Sequence, residues 1–106
     1  MKRSFKRKWV EALRSGKYKQ SYGSLRTVNG YCCLGVAADI IDPDGWSQPR
    51  ALDGIYEFRN NMNTSYLPYD LLPVNQSQLA SLNDHGKDFN YIADYIEENV
   101  EEEPDE

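Results

Sequence analysis

Apolar residues recur with a helical period near both ends of this chain and lose that period in the middle. Phe5, Trp9, Val10 and Leu13 fall at helical spacing after Ser4, a good N-cap, and before Gly16, a residue suited to a left-handed stop. A first helix over about residues 5–15 follows. Towards the other end, Asp88 precedes Phe89, Ile92, Ala93, Ile96 and Val100, which form one apolar helical face with Asp88 as its cap. Leu25 to Val28, Asn29-Gly30 and Tyr31 to Cys33 read as a β-hairpin, with Asn29 and Gly30 supplying the positive-φ pair of a type I′ turn. Leu34 to Ile41 is small and mostly apolar, a short buried helix ended by Pro43 and Asp44-Gly45.

The stretch from Trp46 to Pro73 carries weaker signals. Gly54 to Arg59 predicts one short strand, Asn60 to Ser65 a loop, and Leu67 to Leu72 a helical turn with Pro68 in its first position. Ser77 to Asp84 predicts a further helix, closed near Gly86. Together these elements predict an α+β fold: a small, mainly helical domain with one β-hairpin, spanning residues 1–100 as a single unit. Residues 101–106 are expected to be a frayed acidic tail, because their carboxylates repel one another and Pro104 interrupts them.

Composition supports a globular chain: 40% of its residues are hydrophobic, and the aromatics include eight tyrosines. No apolar run reaches the roughly 20 residues that cross a bilayer. The basic start, Met1 to Lys8, lacks the apolar core of a secretory signal, so a cytoplasmic location is expected. Charge changes the picture more. The net charge of −5 hides nine Lys and Arg against one acid in residues 1–38, and three bases against sixteen acids in residues 39–106. Two outcomes are open: the halves neutralise each other, or the first presents an electropositive surface to an anion.

Chemistry-bearing groups are few. Cys32 and Cys33 are adjacent, too close along the chain for an ordinary bridge, so reduced, buried thiols are expected. A pairing of either thiol with the single histidine, His85, is the one nucleophilic arrangement available, but His85 falls in a turn sequence between two helices. There is no Cys-x-x-Cys pair, histidine cluster or glycine-rich phosphate loop, so neither a metal nor a cofactor is expected, and the chain reads as a non-enzyme.

Binding has the better signal. Residues 14–26 hold four bases, two tyrosines, glycines and hydroxyls with no acid. Bases neutralise phosphates and tyrosines stack on nucleobases. Arg14, Lys17, Lys19 and Arg26, with Tyr18 and Tyr22, are therefore the candidate ligand-binding residues.

Two stretches also carry a resemblance. Residues 9–20 (WVEALRSGKYKQ) with 30–36 (GYCCLGV), and later 79–89 (LASLNDHGKDF) running on through Ile92-Ala93-Asp94 to Ile96-Glu97, resemble a family of small bacteriophage proteins. The match covers about half the chain. It departs from the family where Tyr91 stands in place of an acid after the Asp88 cap.

The resemblance implies an accessory protein that counters host immunity in an infected bacterium, by analogy with phage proteins that sequester nucleotide-derived signals. The expected partner is a small anionic nucleotide signal, enclosed by a homo-oligomer. An alternative partner is a host defence enzyme, inhibited by acidic mimicry of nucleic acid. Membrane partners are not expected. Nucleic acid is disfavoured by the net charge.

Overall fold

The computed structural model describes residues 1–105. The elements run α1 (Arg3–Arg14), β1 (Arg26–Thr27), β2 (Gly30–Tyr31), α2 (Cys33–Ile41), α3 (Gln76–Asp84) and α4 (Phe89–Asn99). This is the small, mainly helical α+β fold with one hairpin that the sequence predicts, β1 and β2 pairing antiparallel.

The core forms where the two amphipathic helices meet. Trp9, Val10 and Leu13 of α1 are buried with Phe89, Ile92, Ala93 and Ile96 of α4, and these two helices share the largest helix–helix contact. Helix α2 is apolar on most sides and is accordingly buried from Cys33 to Ala38. The indole N–H of Trp9 donates to the Cys33 carbonyl at 3.0 Å, tying α1 to the start of α2. Both thiols are buried and unbridged; burial pushes that of Cys32 up to about 11 and that of Cys33 well above its ordinary value. They act as small hydrophobes.

Helix α1 begins earlier than its pattern suggests. Lys2, not Ser4, is the N-cap, and its side chain supplies no capping bond. The bonds come from residues 101–105. The Arg3 N–H donates to the Glu103 carbonyl at 3.0 Å, and the Ser4 N–H to Asp105 Oδ1 at 3.2 Å. A segment expected to fray is therefore drawn across the helix start, and Glu106 lies outside the described residues. The cause is electrostatic. No acid occupies the first turn of α1, whose free N–H groups and positive dipole end attract carboxylates. Mutual repulsion among the acids is offset by Lys2, Arg3 and Lys6.

The hairpin turns one residue earlier than predicted. Its register, Arg26 with Tyr31 and Thr27 with Gly30, puts Val28 and Asn29 at the tip. Asn29 has no positive φ, so Asn29-Gly30 is not a type I′ turn. Gly30 serves a different need: a Cβ there would sit 2.3 Å from the Lys19 carbonyl oxygen, so only glycine admits the neighbouring chain.

Residues 54–59 do not form the expected strand. They make isolated antiparallel bridges instead, Ile55 with Thr27 and Phe58 with Trp46. Gln20 bridges Tyr31 on the far side of the hairpin, so short extended pieces flank β1 and β2 on both sides. The helical turn at Pro68 is present, with the Leu71 and Leu72 N–H groups both donating to its carbonyl. Asn75 caps α3 and Asp88 caps α4, each accepting one backbone N–H.

Candidate functional site

The hairpin register builds the site. Arg26 lies directly across from Tyr31, and on its other flank Tyr56 donates its N–H to the Arg26 carbonyl at 3.1 Å. Cross-strand neighbours on one face pack together. The Arg26 guanidinium accordingly lies 4.1 Å from the ring centre of Tyr56, 4.8 Å from that of Tyr31 and 5.3 Å from that of Trp46. Trp46 stands edge-on to Tyr31, Tyr56 and Phe58, the last at 5.1 Å. Tyr18 meets Tyr31 edge-on at 4.9 Å.

Asp39, on α2, is the cluster's anchor. Its carboxylate accepts from the Tyr18 hydroxyl at 2.7 Å and from the Trp46 indole at 3.0 Å. Burial, then the bond to Asp39, holds the Tyr18 phenol well above its ordinary range. Tyr31 is raised by burial and by Asp39, with Arg26 opposing. Both stay neutral through physiological pH.

Arg26 itself makes no ion pair and no side-chain hydrogen bond among the described residues. A guanidinium stacked on aromatic faces loses little freedom, and its N–H fork remains available to a planar or tetrahedral oxyanion.

Of the six side chains singled out in the sequence, Tyr18 and Arg26 converge, both against Tyr31. Arg14 points elsewhere. It pairs with Asp94 and, at 3.1 Å, with Glu97 on α4, and those two bonds raise its already high pKa further. Lys17, Lys19 and Tyr22 are exposed, with no side-chain partner among the described residues. Tyr18 and Gln20 turn inward, Gln20 donating to Asn83 Oδ1 and to the Lys87 carbonyl, both at 2.9 Å. Lys17 and Lys19 alternate with them and face away.

Tyr31, Trp46, Tyr56 and Asp39 are members of the cluster that residue-type reasoning on the basic segment did not reach. The period-two pair Tyr56 and Phe58 was the available signal, since it places two rings on one face of an extended segment.

The charge halves meet each other in part, at four of the nine bases of residues 1–38. Lys2, Arg3, Lys6 and Arg14 all reach acids between residues 94 and 103. His85 is exposed, its Nδ1 lying 2.8 Å from the Ser81 carbonyl, and no hydrogen bond joins it to Cys32 or Cys33. No cluster of three or more His, Cys, Asp or Glu suited to a metal ion occurs among the described residues. Among them, no helix is long and apolar enough to cross a membrane.

A family model described as a domain of unknown function, DUF8296, matches residues 1–72. That span takes in α1, the hairpin, α2 and every member of the Arg26 cluster. No curated protein and no solved structure matches the chain.

Proposed function

The chain belongs to the DUF8296 family, and we propose that the Arg26 cluster of that domain seats an anionic, phosphate-bearing ligand, which the protein sequesters without chemical turnover. One observation carries this reading: Arg26 is stacked against three aromatic rings, and no carboxylate lies within ion-pair distance of it among the described residues. An arginine held this way presents a preformed fork to phosphate.

The ligand class is a nucleotide-derived signal, and the setting is the cytoplasm of a phage-infected bacterium. Lys17, Lys19 and Tyr22 are exposed and are not among the rings and groups that hold Arg26 in one chain. A homo-oligomer solves that geometry: a second copy supplies the exposed lysines and tyrosine to the Arg26 of the first. The lysines add charge to the phosphates and Tyr22 stacks on a base.

Calorimetry against cyclic dinucleotides, cyclic trinucleotides and cyclic ADP-ribose isomers tests the proposal. Saturable binding of one of these, lost in Arg26→Ala, is the expected result. Absence of heat with every member of the panel overturns it. The alternative, acidic mimicry directed at a host enzyme, draws less support, because Asp94, Glu97, Glu102, Glu103 and Asp105 are all engaged within the chain.

A further inference from the structure

A second basic feature lies away from the Arg26 cluster. Arg3, Arg7, Val10 and Arg14 follow one another along α1 within a narrow arc, since steps of four, seven and eleven residues return to nearly the same face. They line a groove of about 320 Å³ between α1 and the end of α4, together with Lys6 and the acids Glu11, Glu97 and Glu102. Arg7 has no ion-pair partner among the described residues. Lys6 is nearly buried, its ammonium donating to the Glu97 and Val100 carbonyls at 3.2 and 2.6 Å.

Residues 101–105 cross the start of α1, and Glu102 closes the near end of this groove. Glu102 bridges Arg3 at 2.8 Å and Lys6 at 3.5 Å, Glu103 meets Lys2 at 3.3 Å, and Asp105 takes the Ser4 N–H and hydroxyl. Three carboxylates in a row thus occupy α1 as a string of anions. Their hold is light. Every residue from 101 to 105 is exposed, so no apolar burial fastens the segment. Two backbone hydrogen bonds, the Asp105 bonds to Ser4 and three ion pairs remain, and of the pairs only that of Glu102 with Lys6 has a buried partner; exposed pairs weaken with salt.

We propose that residues 101–105 are an autoinhibitory strap, and that the α1 groove beneath it takes the phosphate backbone of a nucleic acid once the strap lifts. The argument for a polyanionic chain is one of length and order. From Lys2 to Arg7 the bases that the strap holds or leaves free run about 7 Å at 1.5 Å per residue, longer than one phosphate group spans, while Arg14 stays paired with Asp94 and Glu97 of α4. A nucleic-acid strand offers a negative charge about every 3.4 Å along a duplex axis and gains free energy by releasing counterions when bases neutralise it. A short acidic segment gains much less from that release, so a polyphosphate chain can displace it. Lifting the strap leaves the net charge at −5 but frees Lys2, Arg3 and Lys6 from the carboxylates that sit on them.

The test is fluorescence anisotropy at low salt with a labelled single-stranded oligonucleotide and, separately, its duplex. The full chain is compared with a strap variant, Glu102→Gln, Glu103→Gln and Asp105→Asn. A control variant, Asp44→Asn, Asp70→Asn and Glu98→Gln, changes net charge equally at carboxylates that make no ion pair among the described residues. The strap variant should bind at least about ten-fold tighter than the control, and adding Arg3→Gln and Arg7→Gln should remove the gain. Equal binding by strap and control variants overturns the proposal, as does a gain that survives loss of Arg3 and Arg7. Should the triple variant lose its helical circular dichroism, Glu102→Gln alone carries the same comparison against Glu98→Gln, with a several-fold gain expected and no gain overturning it.

Discussion

The buried side-chain amide of Asn83 donates to the Ser21 carbonyl at 2.9 Å, joining the end of α3 to the loop that leads into the hairpin. Its oxygen accepts from the Cys33 N–H at 3.2 Å and from Gln20 at 2.9 Å, so one side chain fixes α3, the start of α2 and the inner side of the basic segment together. Asn83 is fully buried, and every group it bonds would lose a partner if it were cut back.

Replacing Asn83 by Ala should therefore cost about 3 kcal/mol, since buried donors and acceptors left unpaired cost about 1–3 kcal/mol each. Urea unfolding monitored by circular dichroism measures this. Asn83→Asp should rescue little, because a carboxylate cannot donate to Ser21 and would sit beside Asp84. A loss below about 1 kcal/mol for Asn83→Ala would mean that water enters and replaces the amide.

Two glycines should respond to the same substitution very differently. A Cβ on Gly35 would fall 1.7 Å from the Leu25 carbonyl oxygen, where backbone blocks any relief. Gly35→Ala should cost more than about 3 kcal/mol or prevent folding, by forcing α2 off the hairpin. Gly16 has φ +79 and nothing within 4 Å, so Gly16→Ala should cost only about 1 kcal/mol of backbone strain. Thermal midpoints of the two variants give the comparison.

What the sequence could tell follows from how local each cause is. Helix α4 was legible because Asp88 and its apolar face lie within one run of residues, and the cap bond forms as expected. The hairpin was legible as an element but not in its turn. Gly30 is required by the approach of Lys19, eleven residues away in the chain, and no local pattern shows that. The start of α1 depends on Glu103 and Asp105, about a hundred residues distant. The same applies to the candidate site. Arg26 and Tyr18 could be picked out by type, whereas the rings around Arg26 come from the 46–58 stretch, whose isolated bridges have no periodic signature long enough to read.

Acid should loosen the contact between the two ends of the chain. Glu97 is held below its ordinary pKa first by its bond to Arg14, Glu102 by its bond to Arg3, and Asp105 by the Ser4 N–H. A carboxylate depressed in the folded state contributes stability that is fully present above its unfolded pKa, roughly 3.9 for Asp and 4.3 for Glu. That contribution is lost as pH falls through the lower folded value. Hydrogen exchange at the Arg3 and Ser4 amides should thus stay protected near pH 6 and accelerate, beyond its intrinsic trend, below about pH 4. At the other extreme, Tyr18 is raised, so folding stability should fall as pH climbs past about 10, where the unfolded phenol ionises and the folded one resists.

The division of labour between Arg26 and the exposed lysines is open to a complementation experiment. Arg26→Ala should abolish anion binding and lower stability by about 1 kcal/mol, the value of a partly exposed cation–π stack. Arg26→Lys should keep much of that stability yet bind poorly, because an ammonium lacks the fork. Lys17→Glu with Lys19→Glu should also abolish binding and leave folding almost intact, as both side chains are solvated. Equal loss on reversing Lys2 and Arg3 would instead point to the overall field of the basic third. If a second copy brings Lys17 and Lys19 to Arg26, the two inactive variants complement each other. A randomly re-associated equimolar mixture then recovers about a quarter of the sites, because half of the dimers are mixed and each mixed dimer holds one intact site of two. Calorimetry on that mixture reads the result. No recovered heat, with re-association confirmed by subunit exchange, would place the lysines and Arg26 in the same chain's site or in no shared site at all.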